Sequence, residues 1–222
     1  MLTPRLKLIS DLVTGKTVAD IGTDHAFIPI ELISSGRCEK VIASDVNNGP
    51  AEIAKNNIKE NGLDIKVRVG NGLSVLQPGE TEDIIIAGMG GKLICEILGA
   101  GYEVAKQSRL ILQPMNGQYE LRKFLLKEGF VISHEDLALE GFKVYNVFVC
   151  DSEKKPLIYK DERDLHIPSF LESHIYYPHL RAKKIREFKK IISGYEKSKG
   201  ETDSRRLDLY RKILEEITEG EA

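Results

Sequence analysis

The residues that could do chemistry gather in VADIGTDHAFIPIEL, residues 18 to 32, where Asp20, Asp24 and His25 crowd around Gly22 between two apolar runs. A connection that only reverses the chain needs glycine or asparagine. Small polar groups at a strand-to-helix turn point instead to a bound ligand. The segment is not GxGxxG: one glycine of the three is present, so the dinucleotide fingerprint fails. Gly22 lets a ligand come close to the backbone, while Asp20 and Asp24 offer acceptors to a cation or amine. Those carboxylates would repel a diphosphate and accept an α-ammonium group. An acidic helix start, with Asp24 or Thr23 as N-cap, accounts for the same residues without a ligand.

Asp45 ends VIASDV, 23 residues after Gly22. An acid about 20 residues beyond a glycine turn is where doubly wound folds hold the two hydroxyls of a ribose. A turn-forming Asp beside Asn47 and Asn48 is the plainer alternative. In GNGL, residues 70 to 73, Asn71 with Gly72 could meet the edge of an adenine, although Asn-Gly is also an everyday turn. Taken together, these three positions fit an amino acid joined to a nucleoside, which is S-adenosylmethionine. AGMGG, residues 87 to 91, strips side chains from the centre of the same edge. A planar base could slide in beside Gly88, with Met89 as a soft apolar contact; close packing of a helix start is the other explanation. LQPMNG, residues 112 to 117, brings the Gln113 and Asn116 amides to that rim, or is simply a Pro114–Gly117 turn.

The elements that must position these residues show in the apolar rhythm. TVADIG, VIASDV, IKVRVG, DIIIAG and RLILQ are apolar enough for strands buried on both faces. Between them FIPIELISSG, GPAEIAKNNIKENG, GKLICEILGAG and GQYELRKFLLKEG carry helical spacing, most ending at a capping glycine. This alternation predicts an α/β fold with right-handed crossovers and a mostly parallel sheet. FVISHEDLALEGFKVYNVFVC then predicts an antiparallel hairpin turning at Glu140–Gly141 and closing the sheet edge. A polar linker near residue 160 separates a first domain, 1–160, from a second, 161–222. In the second, Leu171, Ile175, Ile185, Phe188, Ile192 and Tyr195 are placed on one helix. After a break at SKGETDS, Leu207, Tyr210, Ile213, Leu214 and Ile217 are placed on another, giving an αα-hairpin.

The chain has 222 residues, 41% hydrophobic and 30% charged, with a net charge of −2, so global charge selects no partner. Local charge does: from Arg181 to Lys199 eight Lys or Arg face two Glu. Lys183, Lys184, Arg186, Lys189 and Lys190 could neutralise nucleic-acid phosphates, or form a solvated helix face. Cys38, Cys95 and Cys150 fit neither a CxxC metal site nor a disulfide framework and suit a reducing cytoplasm. His174 and His179 lie off any standard metal spacing, and no metal is expected. No apolar run is long enough for a membrane span, and no signal peptide is read.

DIGTDHAFIPI, ASDVNNGP, GNGL, IIAGMGG and LILQP, in this order and spacing, resemble the bacterial tRNA adenine-22 N1-methyltransferases of the TrmK type. The resemblance spans about Pro4 to Cys150. It implies a class I, Rossmann-like methyltransferase fold with a seven-stranded sheet, strand order 3-2-1-4-5-7-6, and a C-terminal helical coiled coil. It further implies S-adenosylmethionine as cofactor and an adenine in the D-arm region of tRNA as target. Arg5, Lys143 and Tyr145 also match the family's pattern, with Arg5 an RNA-binding candidate. The expected cofactor residues are Asp20, Gly22, Asp24, Asp45, Asn71, Gly72, Gly88 and Met89. Asp24, His25, Met89 and Gln113 are the candidates around the reacting atoms. A cytoplasmic monomer without a protein partner is expected.

Ring N1 of adenine carries an in-plane lone pair, so a covalent nucleophile is unnecessary and no Pro-Cys motif is present. The protein's task would be alignment, with Asp24 steadying the cationic product. Two other classes remain open: a class I methyltransferase acting on another RNA, protein or small molecule, and a non-catalytic tRNA-binding module. A nicotinamide enzyme is the weakest option, because the glycines are missing.

Overall fold

The computed structural model describes residues 2–197 and 204–219. They fall into two compact units, one running to Glu140 and adding Tyr145–Ile158, the other Gly141–Val144 with the chain from Tyr159 onward.

The first unit holds the sheet. Strands β1 (Thr17–Ile21), β2 (Lys40–Asp45), β3 (Lys66–Val69), β4 (Asp83–Gly90), β5 (Arg109–Asn116), β6 (Ile132–Glu140) and β7 (Lys143–Cys150) take the order β3-β2-β1-β4-β5-β7-β6. β1 to β5 pair in parallel and β7 runs antiparallel to β5. Val18, Ala19, Ile42, Ala43, Ile84, Ile85, Ile86, Leu110, Ile111 and Leu112 are fully buried. Consecutive buried residues of this kind mark strands covered on both faces, as βαβ crossovers require. One face carries α1 (Pro4–Asp11), α2 (Phe27–Ser34) and α3 (Asn48–Glu60), which contribute Ile9, Ile28, Leu32, Ala54 and Ile58 to a single apolar cluster. Two further helices, α4 (Gly91–Ala100) and α6 (Gln118–Lys127), pack against each other, and a single turn, α5 (Tyr102–Ala105), lies between them in sequence.

Three elements of this unit depart from the sequence expectation. α1 lies outside it, although the signals of a helix are present: Thr3 caps Leu6 N–H, Pro4 occupies the first turn, and Leu6, Ile9 and Val13 follow helical spacing. β4 and β5 also run further than DIIIAG and RLILQ. The glycine segment stays extended, pairing Ala87 with Gln113 and Met89 with Pro114 across an irregular register.

In the second unit, α7 (Glu162–His166) precedes α8 (Tyr177–Lys197) and α9 (Ser204–Glu219). Arg181 donates to the carbonyls of Ile217 and Thr218, while Arg211 pairs with Glu196, so α8 and α9 run antiparallel. Their seam buries Leu180, Phe188, Tyr210, Ile213 and Ile217, with the His166 ring edge-on to Phe188 and Tyr210. α8 begins later than expected. Leu171 lies in a 3-10 turn and Ile175 is 78% exposed, because Pro178 sets the first turn of the helix.

Candidate functional site

The carboxyl ends of β1 and β4 open onto a cavity of about 410 Å³, within the range of small-ligand pockets. Asp20, Gly22, Thr23, Asp24 and His25 line it from one side, Ala87 and Gly88 from another, and Thr3, Arg5 and Leu6 of the N-terminal segment close it. The loop after β1 is held in an unusual shape. Gly22, Asp24 and Ala26 have φ of 76°, 49° and 56°, a region costly for Asp and Ala. The clamp is visible: Gly22 and Thr23 N–H both donate to Ser44 O at 2.8 Å, and Ala26 N–H donates to Thr23 O at 3.0 Å. Gly22 suits its φ of 76°, and a Cβ there would lie 2.1 Å from the Met89 methyl, so that flexible side chain would have to move aside.

Asp20 is buried, and its side-chain hydrogen bond comes from the Thr23 hydroxyl at 2.7 Å. Burial pushes its pKa up to about 6; the Thr23 hydroxyl opposes the shift and the Asp45 carboxylate adds to it. An acid held this way favours a cationic ligand. Asp24 and His25 face each other at 3.6 Å, and both are exposed to the cavity mouth.

Arg5 ties the N-terminal helix to the site. Its Nη1 donates to Gln113 Oε1 at 2.8 Å, its backbone N–H donates to Glu140 Oε1 at 3.1 Å, and its guanidinium lies 5.4 Å from the Tyr145 ring centroid. Gly88 N–H reaches the same Gln113 oxygen at 3.2 Å. Two donors on one oxygen fix the Gln113 amide, so its NH₂ turns toward Met115. Gln113 is therefore a buried brace behind the cavity wall rather than a group at its surface.

AGMGG divides between its two explanations. Gly88, with φ of 78°, opens to the cavity. At Gly91 a Cβ would strike Gly117 O at 2.4 Å, so that glycine serves helix packing. Asp45 and Asn71 sit at the carboxyl ends of β2 and β3 on the same sheet edge, outside the cavity lining; Asp45 Oδ1 accepts Asn47 N–H at 3.0 Å in a local turn. Gly72 has φ of 53° and packs against Ile97.

The basic stripe narrows. Lys184 is buried, with Nζ on Glu187 at 2.8 Å, and drops out of the set able to meet phosphates. Lys183 Nζ reaches Val144 O at 3.5 Å. Arg186, Lys189, Lys190 and Lys197 are exposed, and Lys199 lies outside the described residues.

A family model described as a methyltransferase domain matches residues 2–148. The tRNA (adenine(22)-N(1))-methyltransferase of Bacillus subtilis is 36% identical over 162 residues, covering 71% of this chain and 68% of that protein. The chain belongs to the TrmK-type methyltransferase family. The crystal structure of B. subtilis TrmK, described as an m1A22 tRNA methyltransferase, superposes with a TM-score of 0.86 at 29% identity, covering 99% of this chain and 98% of that one. A Streptococcus pneumoniae protein solved in complex with S-adenosyl-L-methionine superposes at 0.82 with 31% identity, covering 99% of each chain. Both superpositions take in the C-terminal helices. Among the described residues no helix is long and apolar enough to cross a membrane.

Proposed function

We propose that this TrmK-type chain transfers a methyl group from S-adenosylmethionine to ring N1 of adenine 22 in tRNA. The observation that carries the proposal is Asp20: a buried carboxylate next to Asp45, beside a glycine turn, in a chain 36% identical to an adenine-22 N1-methyltransferase. S-adenosylmethionine brings an ammonium and a sulfonium to a place where, among the described residues, two acids lack a cation. Asp20, Gly22 and Asp24 would hold its amino-acid end, Asp45 its ribose, Asn71 and Gly72 its adenine, and Gly88 with Met89 the region of the sulfonium. The chemistry supplied by the bound cofactor is an electrophilic methyl group.

Everything else falls to alignment. The strained loop after β1 fixes one side of the cavity and Arg5, through Gln113 and Gly88, fixes the other, which is how a near-attack geometry is kept without a covalent nucleophile. Methylated N1 carries positive charge until N6 loses a proton. Asp24 at the cavity mouth favours that charge, and water reaches the exposed mouth to take the proton. In a duplex N1 is occupied by its pairing partner, so the target adenine must be unpaired or extruded. Arg186, Lys189 and Lys190 on α8 supply non-specific phosphate contacts toward the D-arm region, the protein acting as a cytoplasmic monomer.

Mapping 1-methyladenine in tRNA incubated with the protein and labelled cofactor tests the function. Methyl label confined to N1 of adenine 22 is expected; label in protein, in small molecules or at other nucleotides would overturn it. Reversing Arg186, Lys189 and Lys190 to Glu should weaken tRNA binding and reduce its salt slope by about one for each phosphate left without a cation. An unchanged salt slope would return α8 to a packing role.

A further inference from the structure

Phe27 opens α2 with 52% of its surface exposed, although the residues beside it, Ala26 and Ile28, are buried. Its ring is stacked on His25, with centroids 5.2 Å apart and planes 11° from parallel. The loop that presents the pair is the strained one, and it is held from a second side by Asn57 Nδ2 donating to His25 O at 3.0 Å. Two aromatic rings are thus fixed with an open face at the rim of the cavity.

Phe27 is also a dividing wall. It lines the cavity of about 410 Å³ and, together with Thr3 and Leu6, an adjoining groove of about 640 Å³ between α1, α2 and α3. The groove continues past Ser34, Asn57 and Asn61 and contains one charged residue among those described, Glu31. With an acid and no described cation along its walls, it suits an uncharged planar group and would repel a phosphate.

We infer that the face of Phe27, backed by His25, is the stacking platform for the extruded adenine; this rests on the tRNA methylation proposed above. Methylation at N1 constrains how the base is gripped. A hydrogen bond donated to N1 would occupy the lone pair that must attack, whereas stacking holds the base by its face and leaves N1 and N6 turned toward Gly22, Asp24 and Gly88. An extruded base has left its neighbours in the helix, and an aromatic face replaces them.

Phe27→Leu keeps the apolar volume and removes the ring; Phe27→Trp restores a ring face. In the full chain, Phe27→Leu should lower kcat/KM for tRNA by about ten- to a hundred-fold, and Phe27→Trp should recover most of it. The dissociation constant for S-adenosylhomocysteine and the melting temperature should stay at parental values in both. With 2-aminopurine in place of the target adenine, the parent should hold the extruded base quenched and Phe27→Leu should leave it bright. Parental kcat/KM in Phe27→Leu would overturn the platform while leaving the methylation intact. Equal losses in S-adenosylhomocysteine affinity and tRNA turnover would overturn it by moving Phe27 into the cofactor site. A parent that leaves tRNA unmethylated would refute the underlying function, and that result needs no variant.

Discussion

The two edges of the sheet treat a buried aspartate in opposite ways. At the amino edge Asp83 accepts N–H groups from Thr14 at 2.9 Å and Gly15 at 3.0 Å, and Arg109 Nη1 at 3.2 Å. At the carboxyl edge, one strand away, Asp20 is as deeply buried, yet among the described residues its side-chain donor is the Thr23 hydroxyl, and Asp45 stands beside it. Both acids carry the desolvation cost of burial. The first is compensated by the fold itself and closes the sheet on the N-terminal segment. The second is left short of donors, which lowers stability and creates affinity for a cation. Where a protein leaves an acid under-compensated is where it expects a ligand.

That contrast can be broken from either end. Asp83→Ala should have the largest effect, a loss of about 2–5 kcal/mol in unfolding free energy, because it leaves the Thr14 and Gly15 N–H groups without an acceptor, while Arg109 keeps Asp151 and the Leu12 carbonyl. Denaturant titration measures it, and a loss below about 1 kcal/mol would remove the distinction between the edges. Asp45→Ala should leave the unfolding curve in place and weaken cofactor binding by about 1–3 kcal/mol, through ribose hydroxyls left unpaired. Calorimetry with S-adenosylhomocysteine decides that, and an unchanged affinity would place the ribose elsewhere.

The smallest effect is a pH dependence. Asp20 holds its proton more tightly in the fold, at about 6, than in the unfolded chain, at 3.8. Its contribution to stability therefore falls as pH rises between those values and is level above the higher one. Binding of an ammonium group runs the other way, because it needs the carboxylate. The cofactor dissociation constant should rise by up to about tenfold per pH unit as pH drops below 6, and Asp20→Asn should flatten the profile. A flat profile in the parent would show that the ammonium group is not held by Asp20.

The carboxyl edge is legible in the sequence because its signals are local. Asp20, Gly22 and Asp24 lie within five residues, and the βα rhythm puts them at a strand end. Strand order comes from the family resemblance and agrees with the observed sheet. The closure of the site by α1 is not legible, since Arg5 meets Gln113 and Glu140 across separations of 108 and 135 residues. Phe27 reads in sequence as an ordinary apolar helix residue; its exposure belongs to the strained loop, which no spacing rule reports. The burial of Lys184, by contrast, is written in the spacing. Leu180, Lys184 and Phe188 repeat every four residues, the period of one buried helical stripe, and counting charges along the chain conceals that face.

Arg5 has a consequence for the protein's birth on the ribosome. The turn that closes the cavity precedes its partners Glu140 and Tyr145 in the order of synthesis. At translation speeds of about 5–20 residues per second, roughly 7 to 30 seconds pass between the synthesis of that turn and the synthesis of its last partner. The Arg5 contacts that close the cavity are incomplete until β7 is made. Closure of the cavity by Arg5 thus waits for the last strands of the sheet, and a translational pause before residue 140 would leave those contacts unmade.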